Sequence, residues 1–225
     1  GANSSFVNRI VDERVPVAEL VADPVAQAEA LGGTPHPRIP LPRELYGAER
    51  LNAAGVDLAS EAVRARLAAA LVDSHAHLPV ARHGVLARAD DILRPVTNPA
   101  DRTDVVGHVV DTEPARIEAA LARATATAPE WASRGAEHRA ACLNRAADLL
   151  EAATPALIAL TVREAGKSWP NAVAEVREAV DFCRYYAARA LGFDPASHPP
   201  LGPVACISPW NFPLAIFTGQ IAAAL

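Results

Sequence analysis

The spacing of apolar side chains divides the chain into helical and extended stretches. Val17, Leu20 and Val21 recur at helical spacing behind Pro16, so residues 1–31 are expected to form a helical tail. Gly32-Gly33, followed by Pro35, Pro37, Pro40 and Pro42, breaks the pattern. Alternating prolines remove backbone donors and favour an extended course, which predicts a linker over 32–47. Val63, Leu67, Ala70 and Leu71 share a face behind Ser60, a good N-cap, and predict a helix over 60–73. Residues 74–90 are polar and read as irregular, and a new unit is expected to open near Asp90.

From Pro95 to Val110 the pattern is β-rich. It predicts a strand, a turn at Ala100-Asp101-Arg102-Thr103 and a second strand. Four helices follow. Pro114 opens the first, with Ile117, Leu121 and Ala124 in line. The second covers 136–152 and aligns Leu143, Ala146 and Leu150. The third starts at Thr154 as N-cap, with Pro155 at the first helical position, and stops at Gly166. The fourth covers 169–191. Val173, Val176, Val180, Cys183 and Ala187 give it one narrow buried stripe, and Glu175, Arg177 and Glu178 are expected on its solvated face.

Val204-Ala205-Cys206-Ile207 is short, wholly apolar and bounded by Pro203 and Pro209. Such a run suits a strand buried on both faces of a parallel sheet, with Cys206 as a small core residue. Leu214–Leu225 reads as a helix, so the last stretch is strand, loop, helix. The expected fold class is α/β, mostly helical in this portion.

Composition narrows the functional classes. With 225 residues and 51% hydrophobic positions, the chain can bury a core. A net charge of -5 argues against a nucleic-acid binder, which usually shows a basic stripe. No run of 18 apolar residues suits a membrane span. The cysteines Cys142, Cys183 and Cys206 are odd in number and far apart, which fits a reducing cytoplasm. There is no methionine, and the closing run Ile221–Leu225 carries no helix-stop signal, so a piece of a longer protein is expected.

The sharpest chemical feature is the loop Ser208-Pro209-Trp210-Asn211-Phe212-Pro213. It follows the carboxyl end of a predicted parallel strand, where open α/β sheets bind ligands. Prolines fix the backbone on either side of an asparagine, and a fixed N–H dipole need not reorganise when charge develops on a substrate. A rigid turn around a core tryptophan is the alternative. Gly166-Lys167-Ser168 follows a helix and lacks the first glycine of a phosphate loop, so it reads as a helix-end turn in which Lys167 caps free carbonyls. His75, His77 and His83, with Asp73, lie in a polar stretch and read as solvated, with no metal site.

Gly202 to Pro213 resembles the first nucleotide-binding strand and loop of the aldehyde dehydrogenase superfamily. Val96-Thr97-Asn98-Pro99-Ala100 with Val106-Gly107-His108-Val109 resembles its N-terminal strand pair, and Glu164-Ala165-Gly166-Lys167 its E-x-G-K helix end. Asn3–Arg9, Pro40-Leu41-Pro42, Tyr46-Gly47, Arg163–Lys167 and Pro209–Gln220 together resemble the bifunctional proline utilization A family within it.

That resemblance implies three segments: residues 1–31 as the tail of a proline dehydrogenase barrel, 32–89 as a linker, and 90–225 as the opening of an NAD-dependent L-glutamate γ-semialdehyde dehydrogenase domain. It implies a homo-oligomeric parent that oxidises proline to glutamate. FAD would be bound outside this segment and NAD in the dehydrogenase domain. Asn211 would donate to the oxyanion of the aldehyde adduct. Ile207, Ser208, Pro209 and Trp210 would line the nicotinamide-ribose end of the cofactor, and Phe212 would wall the aldehyde tunnel. The family's catalytic cysteine and water-activating glutamate have no counterpart here, so the segment alone is expected to be inactive. A non-catalytic helical linker or interaction module, and a stand-alone aldehyde dehydrogenase of other specificity, stay open beside this reading.

Overall fold

The computed structural model describes residues 10–34, 36–77, 79–81, 91–194 and 196–225. The quoted stretch Asn3–Arg9 and His83 lie outside the described residues. The chain divides into two compact units, Gly1–Leu41 and Pro42–Leu225.

In the first unit the described part of the expected helical tail includes two short helices, α1 (Val17–Leu20) and α2 (Pro24–Ala30). Asp23 accounts for the restart. Its side chain accepts the Val25 N–H at 2.9 Å, and Pro24 opens α2 with φ already set for a helix.

The second unit contains α3 (Glu61–Ser74), β1 (Val80–Ala81), β2 (Leu93–Thr97), β3 (Val105–Val110), α4 (Pro114–Ser133), α5 (Gly135–Ala152), α6 (Thr154–Ala165), α7 (Trp169–Ala190) and α8 (Ala215–Ala224). This is the α/β class expected, mostly helical with a small sheet. Helix α7 is central, with α5, α6 and α8 packed against it. Val173, Val176, Val180, Cys183 and Ala187 are buried, as their spacing requires. Alanines dominate the seam of α5, α7 and α8, where Ala140, Ala147, Ala187 and Ala222 surround Leu143 and Val180. Small side chains let helix axes approach closely. A second cluster joins Leu67 of α3 to Ile158 of α6 and Val176 of α7.

The sheet has the order β1-β3-β2. β2 runs antiparallel to β3 with Pro95 opposite His108, as the strand-turn-strand pattern predicts. β1 pairs parallel to β3 in the region read as irregular, because two residues are too few to show a period. Arg163 ties the sheet to the helices. Its guanidinium, 3% exposed, donates to the Asp104 carboxylate at the start of β3 and to the Ser74 carbonyl at the end of α3. Burial of that cation is tolerable because acceptors meet the N–H groups along its edges.

Residues 42–54 are fastened by charge. Arg184 of α7 donates to Asn52 O at 3.3 Å and to Glu151 Oε2 at 2.9 Å. Glu151 in turn accepts the Ala54 N–H at 2.7 Å, and Asp181 accepts the Ala53 N–H at 2.9 Å. Burial pushes the Glu151 carboxyl up, but the bonds from Arg184, Ala54 and Arg43 outweigh it and bring the group down to about 2.

Several expectations are corrected. Val204–Ile207 forms no strand; Val204 and Ile207 are exposed and Cys206 is half-buried. A parallel strand exists only through the strands that flank it, and no described residue pairs with this run. Ile117 and Leu121 of α4 are 48% and 50% exposed, since periodicity finds a face but not what covers it. Thr154 is not the cap of α6. It is the helix's first residue, and its hydroxyl donates back to Glu151 O at 2.6 Å.

Candidate functional site

The loop between Ile207 and Leu214 is built from both of its ends. On one side Gln220 of α8 reaches back, its Nε2 donating to Ile207 O at 2.9 Å. Within the loop the Phe212 N–H donates to Pro209 O at 3.3 Å. This closes a turn with Trp210 and Asn211 at its corners. Both are exposed, Trp210 at 87%, and Ile207 at the start of the loop is 82% exposed. Ser208 is half-buried, Pro209 is exposed, and Phe212 is 39% exposed. The turn thus presents an indole, a primary amide and a phenyl ring in succession. The core-tryptophan alternative is overturned, because the Trp210 ring lies in solvent.

The other end of the loop is held by a residue placed wrongly by the sequence pattern. Glu175 of α7, expected on a solvated face, is 2% exposed. Its Oε2 accepts the N–H groups of Leu214 at 3.2 Å and Ala215 at 2.9 Å. Its Oε1 accepts from Lys167 Nζ at 3.0 Å. Helix α8 has no capping side chain of its own, so a carboxylate from another helix satisfies its first orphan donors and sits at the positive end of its dipole.

Lys167 differs from expectation too. Gly166 alone ends α6, at φ 64 in the left-handed region, and Lys167 turns away from the helix. Its ammonium pairs with Glu175 and lies 4.6 Å from the centre of the Phe212 ring. The E-x-G-K turn and the Trp-Asn-Phe-Pro loop, far apart in sequence, therefore meet. Glu164 stays exposed on α6. No local signal in the sequence announces this meeting. Lys167 is the only lysine in the chain, and Glu175 flanks the buried stripe beside Ala172, Val176 and Ala179.

Other candidates fall outside this cluster. The Cys183 thiol is pushed up by burial against a smaller opposing pull from Arg184, which suits a core residue and not a nucleophile. His75 Nδ1 meets Leu71 O at 2.9 Å and His77 Nδ1 meets Asp73 O at 3.1 Å, so both rings serve the end of α3. Among the described residues no cluster of three or more His, Cys, Asp or Glu could hold a metal ion. No helix of the described residues is long and apolar enough to cross a membrane.

The model for "Aldehyde dehydrogenase family" matches residues 87–225. The bifunctional protein PutA of Klebsiella aerogenes is 53% identical over an alignment spanning 100% of this chain and 18% of its own length. A 1-pyrroline-5-carboxylate dehydrogenase of Anoxybacillus flavithermus is 40% identical over 57% of this chain and 27% of its own. Among solved structures, proline utilization A from Bdellovibrio bacteriovorus covers 98% of this chain with 24% of its own, at TM-score 0.70 and 28% identity. The chain thus spans less than a fifth of the length of its PutA relative. Matched by the family model over more than half of its residues, the chain belongs to the aldehyde dehydrogenase family.

Proposed function

We propose that this chain is a segment of a bifunctional proline-oxidising enzyme and supplies the oxyanion-side loop of its aldehyde dehydrogenase site. In that enzyme a flavin-dependent site oxidises proline to pyrroline-5-carboxylate. The imine hydrolyses to L-glutamate γ-semialdehyde, and an NAD-dependent site oxidises that aldehyde to glutamate. The similarity to PutA along the whole of this chain supports the parent activity. One structural observation carries the role of the segment: a turn anchored at both ends that exposes Asn211 between Trp210 and Phe212.

The residues present fit one end of a nicotinamide dinucleotide. Ile207 and Trp210 offer apolar faces to a planar ring, Ser208 offers a hydroxyl, and the prolines keep the backbone stiff. NAD, when bound, accepts hydride from the substrate carbon. The chain's own residues bind and orient. Asn211 donates its side-chain N–H to the oxygen that gains charge as the aldehyde is attacked. Held by its loop, that dipole is aimed before charge develops, which is where such donors gain their effect. Phe212 walls the aldehyde's path. FAD belongs to the upstream enzyme of the parent and contacts none of these residues in this reading. The setting is cytoplasmic, with Cys142, Cys183 and Cys206 kept as thiols, and the parent assembles with copies of itself.

The test is Asn211→Ala in the full-length protein, assayed for NAD-linked oxidation of glutamate semialdehyde. Loss of one oxyanion donor costs on the order of 10²–10³ in kcat. NAD+ affinity, read by titration, stays near wild type. Equal losses in both would overturn the assignment, and a full-length protein that does not oxidise the aldehyde at all would overturn the parent activity.

A further inference from the structure

The proposed chemistry uses Asn211 but leaves a buried ion pair behind it without a role. Glu175 is almost wholly buried, with 1% of its side chain exposed, and Lys167 is 15% exposed. Two charges taken out of water are costly, and a pair replaced by apolar side chains is often neutral or more stable. A fold that only needed α7 to pack on α8 would do so with more alanines, as it does elsewhere in the same seam. The location of the pair is the informative part. Each carboxylate oxygen faces a different element. Oε1 fixes Lys167 of the turn before α7, and Oε2 fixes the first amides after the loop. The lysine, so fixed, lies over the Phe212 ring. Asn211 is separated from the clamped Leu214 amide by only Phe212 and Pro213. The first of these is held through its ring, and the second has its φ fixed.

We infer that Lys167 and Glu175 are positioning residues for the oxyanion donor. They act through the Leu214 and Ala215 amides and the Phe212 ring to hold Asn211 at one geometry. The inference rests on the reading of Asn211 given above. Neither side chain needs to touch substrate. An error of about 1 Å in placing a catalytic group can cost on the order of 100-fold in rate, so a clamp on the loop is expressed in turnover.

The test uses the full-length protein with Glu175→Gln and Lys167→Gln, and Lys167→Arg as the charge-conserving control. Each glutamine variant is expected to lower kcat for the NAD-linked aldehyde oxidation about tenfold, while KM for NAD+ stays within about twofold. Lys167→Arg restores most of the turnover, because a guanidinium keeps both the ion pair and the contact with the ring. The decisive arm is the double variant. If the pair acts through Asn211, Glu175→Gln adds nothing to Asn211→Ala, whereas a purely structural role multiplies the two losses. A multiplied loss, or an unchanged kcat in the single variants, overturns the inference.

A second readout does not depend on turnover. Hydrogen exchange at the Leu214 and Ala215 amides speeds up several-fold in Glu175→Gln, since the charge-assisted bonds weaken, while amides in the middle of α5 keep their rates. Unchanged exchange overturns the clamp even in an active enzyme. Faster exchange in a protein that never oxidised the aldehyde would sink the proposed activity and leave the clamp standing.

Discussion

Helix α7 buries a charge near each end, and the two ends hold very different things. Arg184 is a hub. It reaches Asn52 O, Asp148 and Glu151, and the segment it fastens is also held by Asp181, Arg43 and the Ala54 amide. Among the described residues Glu175 has a single cation and two amides, and what it fastens is one loop. Many bonds to a long segment make a lock on the fold. A few bonds next to one exposed amide make an aiming device. The same device, a charge compensated inside a helical seam, therefore serves stability at one end of α7 and geometry at the other.

The largest expected effect breaks the lock. Arg184→Met leaves the half-buried Glu151 carboxylate with Arg43 as its one cation among the described residues. Removing one partner of a buried pair costs roughly 3–5 kcal/mol, and the low end applies because Asp148 is 63% exposed and keeps its water. The urea midpoint of the full-length protein falls accordingly. Turnover per folded molecule stays near wild type, in contrast to the Glu175 variants. A loss of turnover without a loss of stability would erase the distinction between the two ends.

An intermediate effect follows from pH. Glu151 lies at about 2 when folded, against an ordinary 4.5. Asp104 also lies at about 2, held down first by its hydrogen bond from Arg163 and then by Asn98. A carboxylate depressed in the folded state binds fewer protons folded than unfolded, so its contribution is complete above its ordinary value and is lost as pH falls through the folded one. Stability should decline between about pH 4.5 and pH 2. Glu151→Gln should flatten that decline at the Arg184 end while lowering stability at pH 7. A slope unchanged by this variant would show that Glu151 does not carry the linkage.

The helices were legible because their signals are local. Ser60, Pro155 and Gly166 mark helix ends by their own chemistry, and the stripe Val173 to Ala187 needs only its period. The loop's composition was also legible, since Pro209 and Pro213 act on their own backbone. What sequence could not give is anything decided by a distant partner. Val204–Ile207 has strand composition but no strand of the described residues beside it. Glu175 reads as one more charge on a helix until the loop arrives to share it. Ile117 and Leu121 align without a cover. The resemblance implies a role for Asn211 and includes Lys167 in its E-x-G-K turn, but it assigns that lysine no task and does not reach the glutamate behind it.

The smallest effect separates charge from packing as the anchor of the loop. Gly219 lets α8 approach α7 closely. A Cβ placed there would lie 2.7 Å from the Phe182 ring. Gly219→Ala has two opposed consequences. An alanine in a helix interior gains about 1 kcal/mol over glycine, while overpacking costs about 1–3 kcal/mol. The clash involves the root of the ring as well as its edge, so the ring must swing, and it is already stacked on Tyr186 at 6.2 Å. A net loss of about 1 kcal/mol is expected. In a Phe182→Ala background, which lacks the Cγ, Cδ2 and Cε2 atoms that the new methyl meets, the clash is gone and the sign reverses, which a double-mutant cycle on urea midpoints reads directly. Gln220, which holds Ile207 O, is the next residue along α8 and moves with it. If Glu175 aims the loop, Gly219→Ala leaves kcat near wild type despite the lower stability. A fall in kcat matching that of Glu175→Gln would make helix packing, and not the buried carboxylate, the part that aims Asn211.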